Sequence, residues 1–314
     1  MSEQRLLDAL PWEEVKLGPL SKDVKADKKA VLEVCSRLEK KGFIRMRKPL
    51  FRDHRILKLK AKFEEGTRVI AVMNLKGGVG KTVTSLNLAA SLASLGHKTL
   101  LVDLDPQANA STCLNIRGKN TVYSLLVGTK VPSKTVHKTD YENLDVIPSE
   151  LNLAGAEVEM TGVDSAYRLW EALEWIKDGY EYIVIDCPAS LSILSINALT
   201  AADSIIVPVQ CDAFALESLD MLMETVSLVR KVNEGLHIEG ILLTMYDPMN
   251  EVAVETARNV RSVFGSFIYD AVVKREQALG EATYKGMPVI HYSKDCDASK
   301  AYMKLATEVM GSGG

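Results

Sequence analysis

Lys76-Gly77-Gly78-Val79-Gly80-Lys81-Thr82 is the stretch that decides the fold. It follows the apolar run Arg68–Met73 and opens a helix-period segment over Thr82–Leu95. A strand, a glycine-rich turn and then Lys-Thr at a helix start is the arrangement a phosphate loop requires. Glycines let the backbone turn tightly enough for its N–H groups to point at phosphate oxygens. Lys81 can then neutralise the β- and γ-phosphates, and the Thr82 hydroxyl can ligate Mg2+. A glycine-rich loop alone says little; here strand, loop, Lys-Thr and helix all agree.

The same alternation continues away from this loop. Apolar, β-branched runs recur at Thr99–Asp103, Leu144–Pro148, Tyr182–Asp186, Ser204–Val209, Ile238–Thr244 and Phe267–Val273. They are almost continuously apolar, as strands covered on both faces are. Helix-period segments at Val163–Lys177, Leu216–Val232 and Val252–Val263 lie between them. The implied fold is α/β, a mainly parallel sheet with helices on both faces and right-handed crossovers. No run approaches the roughly 18 apolar residues of a spanning helix. The five cysteines, Cys35, Cys113, Cys187, Cys211 and Cys296, form no CxxC pair, so a reduced, cytoplasmic protein without a disulfide frame is expected. The N-terminus carries no basic-then-apolar leader.

Two acidic strand ends fall where a metal–nucleotide site needs them. Leu101-Val102-Asp103-Leu104-Asp105-Pro106 ends one strand with two carboxylates. Such a pair can organise Mg2+ and an attacking water, although a plain strand-end turn would read the same way. Tyr182-Ile183-Val184-Ile185-Asp186-Cys187-Pro188 is a buried strand ending in an acid, the Walker B position, with Asp186 held to Mg2+ directly or through water. Cys113, Cys187 and Cys211 read as ordinary small residues.

The chain of 314 residues has a formal net charge of −3, which hides an asymmetry. Residues 1–66 carry +6 and residues 67–314 carry −9. Between Arg37 and Lys62 stand 11 basic residues and only two acids, Glu39 and Asp53, a balance that favours an anionic partner. Asp27 can cap a helix whose apolar positions are Val31, Val34, Cys35 and Leu38, and Gly42 can end it. Phe43–Arg47 and Arg55–Lys60 alternate apolar and basic around a turn at Pro49 and Asp53-His54. Helix, glycine and basic hairpin resemble a winged helix-turn-helix with the hairpin as its wing; a helical dimerisation appendage with a hairpin is the alternative. The division expected is residues 1–66 as a winged helix and 67–314 as the nucleotide domain. Lys28, Lys29, Arg37, Lys40, Lys41, Arg45, Arg47, Arg52 and Arg55 are the candidate DNA contacts.

The phosphate loop departs from GxxxxGK[ST] in having Lys76 where the first glycine would stand. In this it resembles the deviant Walker A motif of the ParA/MinD/Soj ATPases. The resemblance extends over residues 68–312, through Glu142–Ser149, Leu153–Glu157, Pro208–Asp212, Phe214–Glu217, Leu242–Asp247 and Gly286–Val289, and is nearer to ParA/Soj partition proteins than to MinD. It implies an ATP hydrolase that is slow and partner-stimulated. It also implies an ATP-sandwich homodimer in which Lys76 reaches the other subunit's nucleotide. By the same resemblance Asp105 orients or activates the water and Asp103 supports the metal shell. Lys76, Lys81 and Asp105 are then the catalytic set, and Thr82, Asp103 and Asp186 the Mg2+ set. ATP is expected on Lys76–Val83, with the base near Met245, Lys274, Arg275 and Glu276. Family arginines are replaced by Met249 and Ala278, Ala189 stands for a proline and Val83 for a threonine, which puts the DNA-binding face of the nucleotide domain in doubt.

The function expected is partition of a plasmid, chromosome or other cargo, with a ParB-like centromere-binding partner, DNA contact and a cytoplasmic, nucleoid-associated location. The alternative is an ATP-responsive transcriptional regulator that binds its own operator through the winged helix. A MinD-like membrane ATPase would need a basic amphipathic C-terminal helix, and Ala298–Met310 has few basic residues. An iron–sulfur reductase of this fold would need paired cysteines.

Overall fold

The computed structural model describes residues 66–118 and 120–311. In the N-terminal part it describes residues 15–16, 27, 29–31, 35, 44–47 and 55–58. The chain divides into two compact units, Met1–Glu65 and Gly66–Gly314.

In the first unit, β1 (Val15–Lys16), β2 (Ile44–Arg47) and β3 (Arg55–Lys58) form an antiparallel sheet in the order β1-β3-β2. Arg45 lies opposite Leu57, and Val15 opposite Ile56. Asp27 caps a helical turn as its sequence position suggests: its carboxylate accepts the Lys29 amide at 3.1 Å and its carbonyl accepts the Val31 amide at 3.0 Å. Val31 and Cys35, one turn apart, are both fully buried.

The second unit is built on an eight-stranded sheet. Its strands are β4 (Arg68–Val72), β5 (Thr99–Asp103), β6 (His137–Lys138), β7 (Leu144–Ile147), β8 (Tyr182–Asp186), β9 (Ser204–Gln210), β10 (His237–Tyr246) and β11 (Ile268–Lys274). Their order is β11-β10-β9-β4-β8-β5-β7-β6. Every neighbouring pair is parallel except β6 with β7, which is antiparallel.

The near-continuous apolar runs follow from burial on both sides. Along β4 and the residue after it, Val69, Ala71 and Met73 enter one core while Ile70 and Val72 enter the other. The first core is closed by Leu194, Leu219, Leu222 and Val260, from helices Ile193–Ala201, Ala215–Val229 and Glu251–Phe264. The second is closed by Leu88, Leu92, Tyr302 and Leu305, from helices Lys81–Ser94 and Asp297–Gly311. All seven strands expected from the sequence are present, and β6 is an addition too short to leave a pattern. The single helix expected over Val163–Lys177 is instead broken into a 3-10 turn at Val163–Tyr167, a helix at Arg168–Leu173 and a second 3-10 turn at Lys177–Gly179. Gly162 and Gly179 bracket that stretch, and the Leu169 amide turns to the Asn197 side chain.

The strand order sets the site. The chain passes from β4 to β5 and later inserts β8 between them, so three loops meet at one carboxyl edge.

Close packing makes one position in β10 testable. A Cβ on Gly240 would lie 2.4 Å from the Tyr269 ring, inside any real contact distance. Gly240→Ala is expected to destabilise the unit by about 1–3 kcal/mol, read as a lowered thermal midpoint by circular dichroism. Gly155→Ala, where nothing lies within 4 Å, serves as the control.

Candidate active site

The phosphate loop leaves β4 at its buried end and enters helix Lys81–Ser94 through Gly80. Gly78 and Gly80 adopt φ of 75° and 90°, the left-handed region that glycine tolerates without strain. Three side chains missed by sequence reading hold the loop. Asn74, fully buried, donates to the Pro208 carbonyl at 2.8 Å and accepts the Lys76 amide at 2.9 Å. Thr244 Oγ1 donates to the Val79 carbonyl at 2.9 Å. Ser85 Oγ donates to Asp186 Oδ1 at 2.9 Å, tying the helix to β8. The first two lie at strand ends and the third one helical turn past Lys81, but such residues carry no spacing signal of their own.

The two lysines of the motif have different surroundings. Lys81 is buried, and its Nζ donates to the Lys76 carbonyl at 3.1 Å. Burial pushes its ammonium below the usual lysine value, while the carboxylates of Asp186 and Asp105 act against that. Lys76 is half-buried, is ion-paired with Asp212, and lies 5.5 Å from the centre of the Phe214 ring. Asp212 belongs to the family-like stretch after β9 but had no role assigned from sequence.

The acidic residues converge as the strand ends promise, and then diverge in role. Asp103 and Asp186 are partners in register across β5 and β8, and both are fully buried. Burial raises both above the ordinary carboxylate range. Asp103 is counter-stabilised by three donors: Ser111 Oγ at 2.6 Å, the Ser111 amide at 2.8 Å and the Asp105 amide at 3.2 Å. It therefore acts first as an anchor for the loop that carries Asp105. The expected support of the metal shell by Asp103 would have to share oxygens already engaged. Asp186 is raised further by the neighbouring Asp103, against the hydroxyls of Thr82 and Ser85. Its Oδ2 is buried and has no hydrogen-bond partner among the described residues. A buried carboxylate oxygen without a donor suits a hard divalent cation or its water, so Thr82 and Asp186 fit Mg2+. Asp105 is half-buried, and its Oδ1 accepts the Gln107 amide at 2.9 Å.

Beside the loop opens a cleft of about 310 Å³. Gly80, Val83, Met245, Lys274 and Arg275 line it together, with Thr244 and Tyr302. The residues expected to surround a base are thus brought to one place. Met245 has φ of 50°, a left-handed backbone uncommon for a non-glycine residue, between Thr244 and Tyr246, whose carbonyl accepts the Arg275 amide at 3.1 Å. Lys274 Nζ is paired with Asp297 at 2.8 Å, and Glu276 accepts the Ala298 amide at 2.6 Å, so the C-terminal helix braces this wall.

The candidate DNA contacts are less fully placed. Lys28, Arg37, Lys40, Lys41 and Arg52 lie outside the described residues. Lys29 is exposed in the first turn after Asp27, Arg45 and Arg47 lie on β2, and Arg55 begins β3.

Residues 67–238 match the AAA domain family. The chromosome partitioning protein ParA of Caulobacter vibrioides is 46% identical over 250 residues, covering 77% of this chain and 94% of that protein. The sporulation initiation inhibitor protein Soj of Bacillus subtilis is 45% identical over 251 residues, 78% of this chain and 99% of that protein. Among solved structures, cobyrinic acid a,c-diamide synthase from Mycobacterium smegmatis, with bound ADP and magnesium, superposes with a TM-score of 0.68 at 31% identity, over 77% of this chain and 93% of that one.

The Thr244–Val79 bond isolates the loop's geometry from its charge. Thr244→Val keeps the shape and removes one hydrogen bond worth about 1 kcal/mol. The thermal midpoint is expected to fall by about 2–4 °C, and nucleotide affinity, measured by calorimetric titration, by up to about fivefold.

Proposed function

Since the chain belongs to the ParA/Soj family of chromosome-partitioning ATPases, we propose that it is the ATP-driven switch of a DNA partition system, working as an ATP-sandwich homodimer. It is an ATP hydrolase, converting ATP and water to ADP and phosphate. The observation that supports the fuller reading is the meeting of the phosphate loop, Asp105 and Asp186 at one edge of the sheet, with Lys76 ion-paired to Asp212.

The roles follow from chemistry. Backbone N–H groups of Gly77–Thr82 and the Lys81 ammonium bind the β- and γ-phosphates. Burial disfavours the Lys81 ammonium on its own, and a phosphate beside it restores the charged form through a contact that water screens little. Thr82 and Asp186 would hold Mg2+, which when bound would neutralise charge on the phosphate oxygens. Asp105 orients the attacking water. The base lies in the cleft between Val83, Met245 and Lys274–Arg275. Lys76 exchanges Asp212 for the nucleotide of a second copy, so that ATP closes the dimer. A ParB-like partner then accelerates hydrolysis and release.

The DNA contact is proposed to lie mainly in the N-terminal unit. Its charge of +6 against −9 for residues 67–314 supports this, as does the loss of family arginines at Met249 and Ala278. The strand order β1-β3-β2 and the Asp27-capped helical turn support a winged helix with β2 and β3 as the wing. Lys28, Lys29, Arg37, Lys40, Lys41, Arg45, Arg47, Arg52 and Arg55 would meet phosphates. Among the described residues no helix is long and apolar enough to cross a membrane, and a cytoplasmic, nucleoid-associated location is proposed.

Two measurements test this function. Lys76→Ala and Asp105→Ala should each lower Mg2+–ATP turnover at least tenfold. Only Lys76→Ala should also abolish the ATP-dependent dimer seen by light scattering; if it left dimer and turnover intact, the sandwich would be wrong. Residues 67–314 should bind duplex DNA with ATP far more weakly than the full chain. The full chain should show the steeper salt dependence; undiminished affinity after removal of residues 1–66 would move the DNA contact to the nucleotide domain.

A further inference from the structure

Asp105 sits on the turn between β5 and helix Asn109–Cys113, and its backbone belongs to a closed ring of hydrogen bonds. The Asp105 amide donates to Asp103 Oδ1 at 3.2 Å. Asp103 Oδ2 accepts from Ser111 Oγ at 2.6 Å. Ser111 Oγ accepts the Ser149 amide at 2.8 Å. Ser149 Oγ donates to the Asp105 carbonyl at 2.7 Å, which closes the ring. Asp103, Ser111 and Ser149 are all buried.

The direction of every bond is fixed by the donor inventory. An ionised carboxylate only accepts, so Ser111 must give its single proton to Asp103 and meet Ser149 with a lone pair. The Ser149 hydroxyl proton is then committed to the Asp105 carbonyl, which also accepts the Ala108 amide at 2.9 Å. Ala108 itself is held at φ 52°, a left-handed conformation that costs an alanine about 1 kcal/mol and persists only where the surroundings determine it. Ser149 follows β7, the strand hydrogen-bonded to β5, so the ring fastens the Asp105 turn to a neighbouring strand end as well as to its own.

We propose that Ser149, through Ser111 and Asp103, is a positioning residue for hydrolysis: it fixes the backbone from which Asp105 orients the water, without touching nucleotide. The proposal rests on the role given above to Asp105. An unfastened turn would leave phosphate and metal binding in place but misdirect the carboxylate, and a displacement near 1 Å costs about a hundredfold at the extreme.

Single-turnover hydrolysis of Mg2+–ATP by the full chain tests this, alongside ATP affinity and thermal midpoint. The set comprises wild type, Ser149→Ala, Ser149→Thr, Asp105→Ala and the double variant Ser149→Ala/Asp105→Ala. Ser149→Ala is expected to slow hydrolysis about tenfold while ATP affinity stays within about twofold. Ser149→Thr, which keeps the hydroxyl, should recover most of the rate, and the double variant should be no slower than Asp105→Ala. Wild-type hydrolysis by Ser149→Ala beside an inactive Asp105→Ala would overturn the proposal. So would a rate and affinity that fall together with no recovery by Ser149→Thr, the mark of a packing role. If Asp105→Ala itself hydrolysed ATP normally, the role of Asp105 would fall first, and the positioning role with it.

Discussion

Two fully buried carboxylates face each other where β5 and β8 end, and the rest of the nucleotide unit is arranged around keeping them there. Burial opposes the ionisation of both, and Asp103 further opposes that of Asp186. The fold resolves the conflict by treating them unequally. Asp103 receives three donors from the polypeptide, and in return organises the following turn. Asp186 is met by the Ser85 hydroxyl at Oδ1, while its Oδ2 has no hydrogen-bond partner among the described residues. Identical side chains thus become an anchor and an acceptor left open, and the difference arises from neighbours as ordinary as serine.

Much of this was legible in the sequence because it is periodic or compositional. Strands covered on both faces must be apolar at every position, so β4, β5, β8 and β9 stand out. Gly78 and Gly80 stand out because their left-handed φ excludes most other residues. The ties Asn74–Pro208, Thr244–Val79 and Ser149–Asp105 were not legible. Each joins one side chain to a carbonyl more than forty residues away, and the pairing exists only once β4, β9 and β10, or β5 and β7, lie side by side. The broken helix over Val163–Lys177 failed for the converse reason. Its apolar spacing was helical, but the helix starts afresh at Arg168, where the Asn197 side chain accepts the otherwise unpaired first-turn amide of Leu169.

The two units obey different physics. The nucleotide unit hides its charges in pairs and networks at the carboxyl edge of a large core. The N-terminal unit has few residues with which to bury apolar surface and carries an excess of positive charge. Such a module gains little from its own core, and a polyanion that neutralises its lysines and arginines would also relieve their mutual repulsion.

The short strand β6 has a bearing on assembly. A long parallel edge would present a row of unpaired amides and carbonyls to any other chain. Here one edge of the sheet closes on two residues, His137–Lys138, running against β7, with the Lys138 side chain 77% exposed beside Asp145. That rim offers almost no template for strand addition, and its cation repels a second copy of itself. Copies of the chain brought close together are therefore not led to zip edge to edge along this rim.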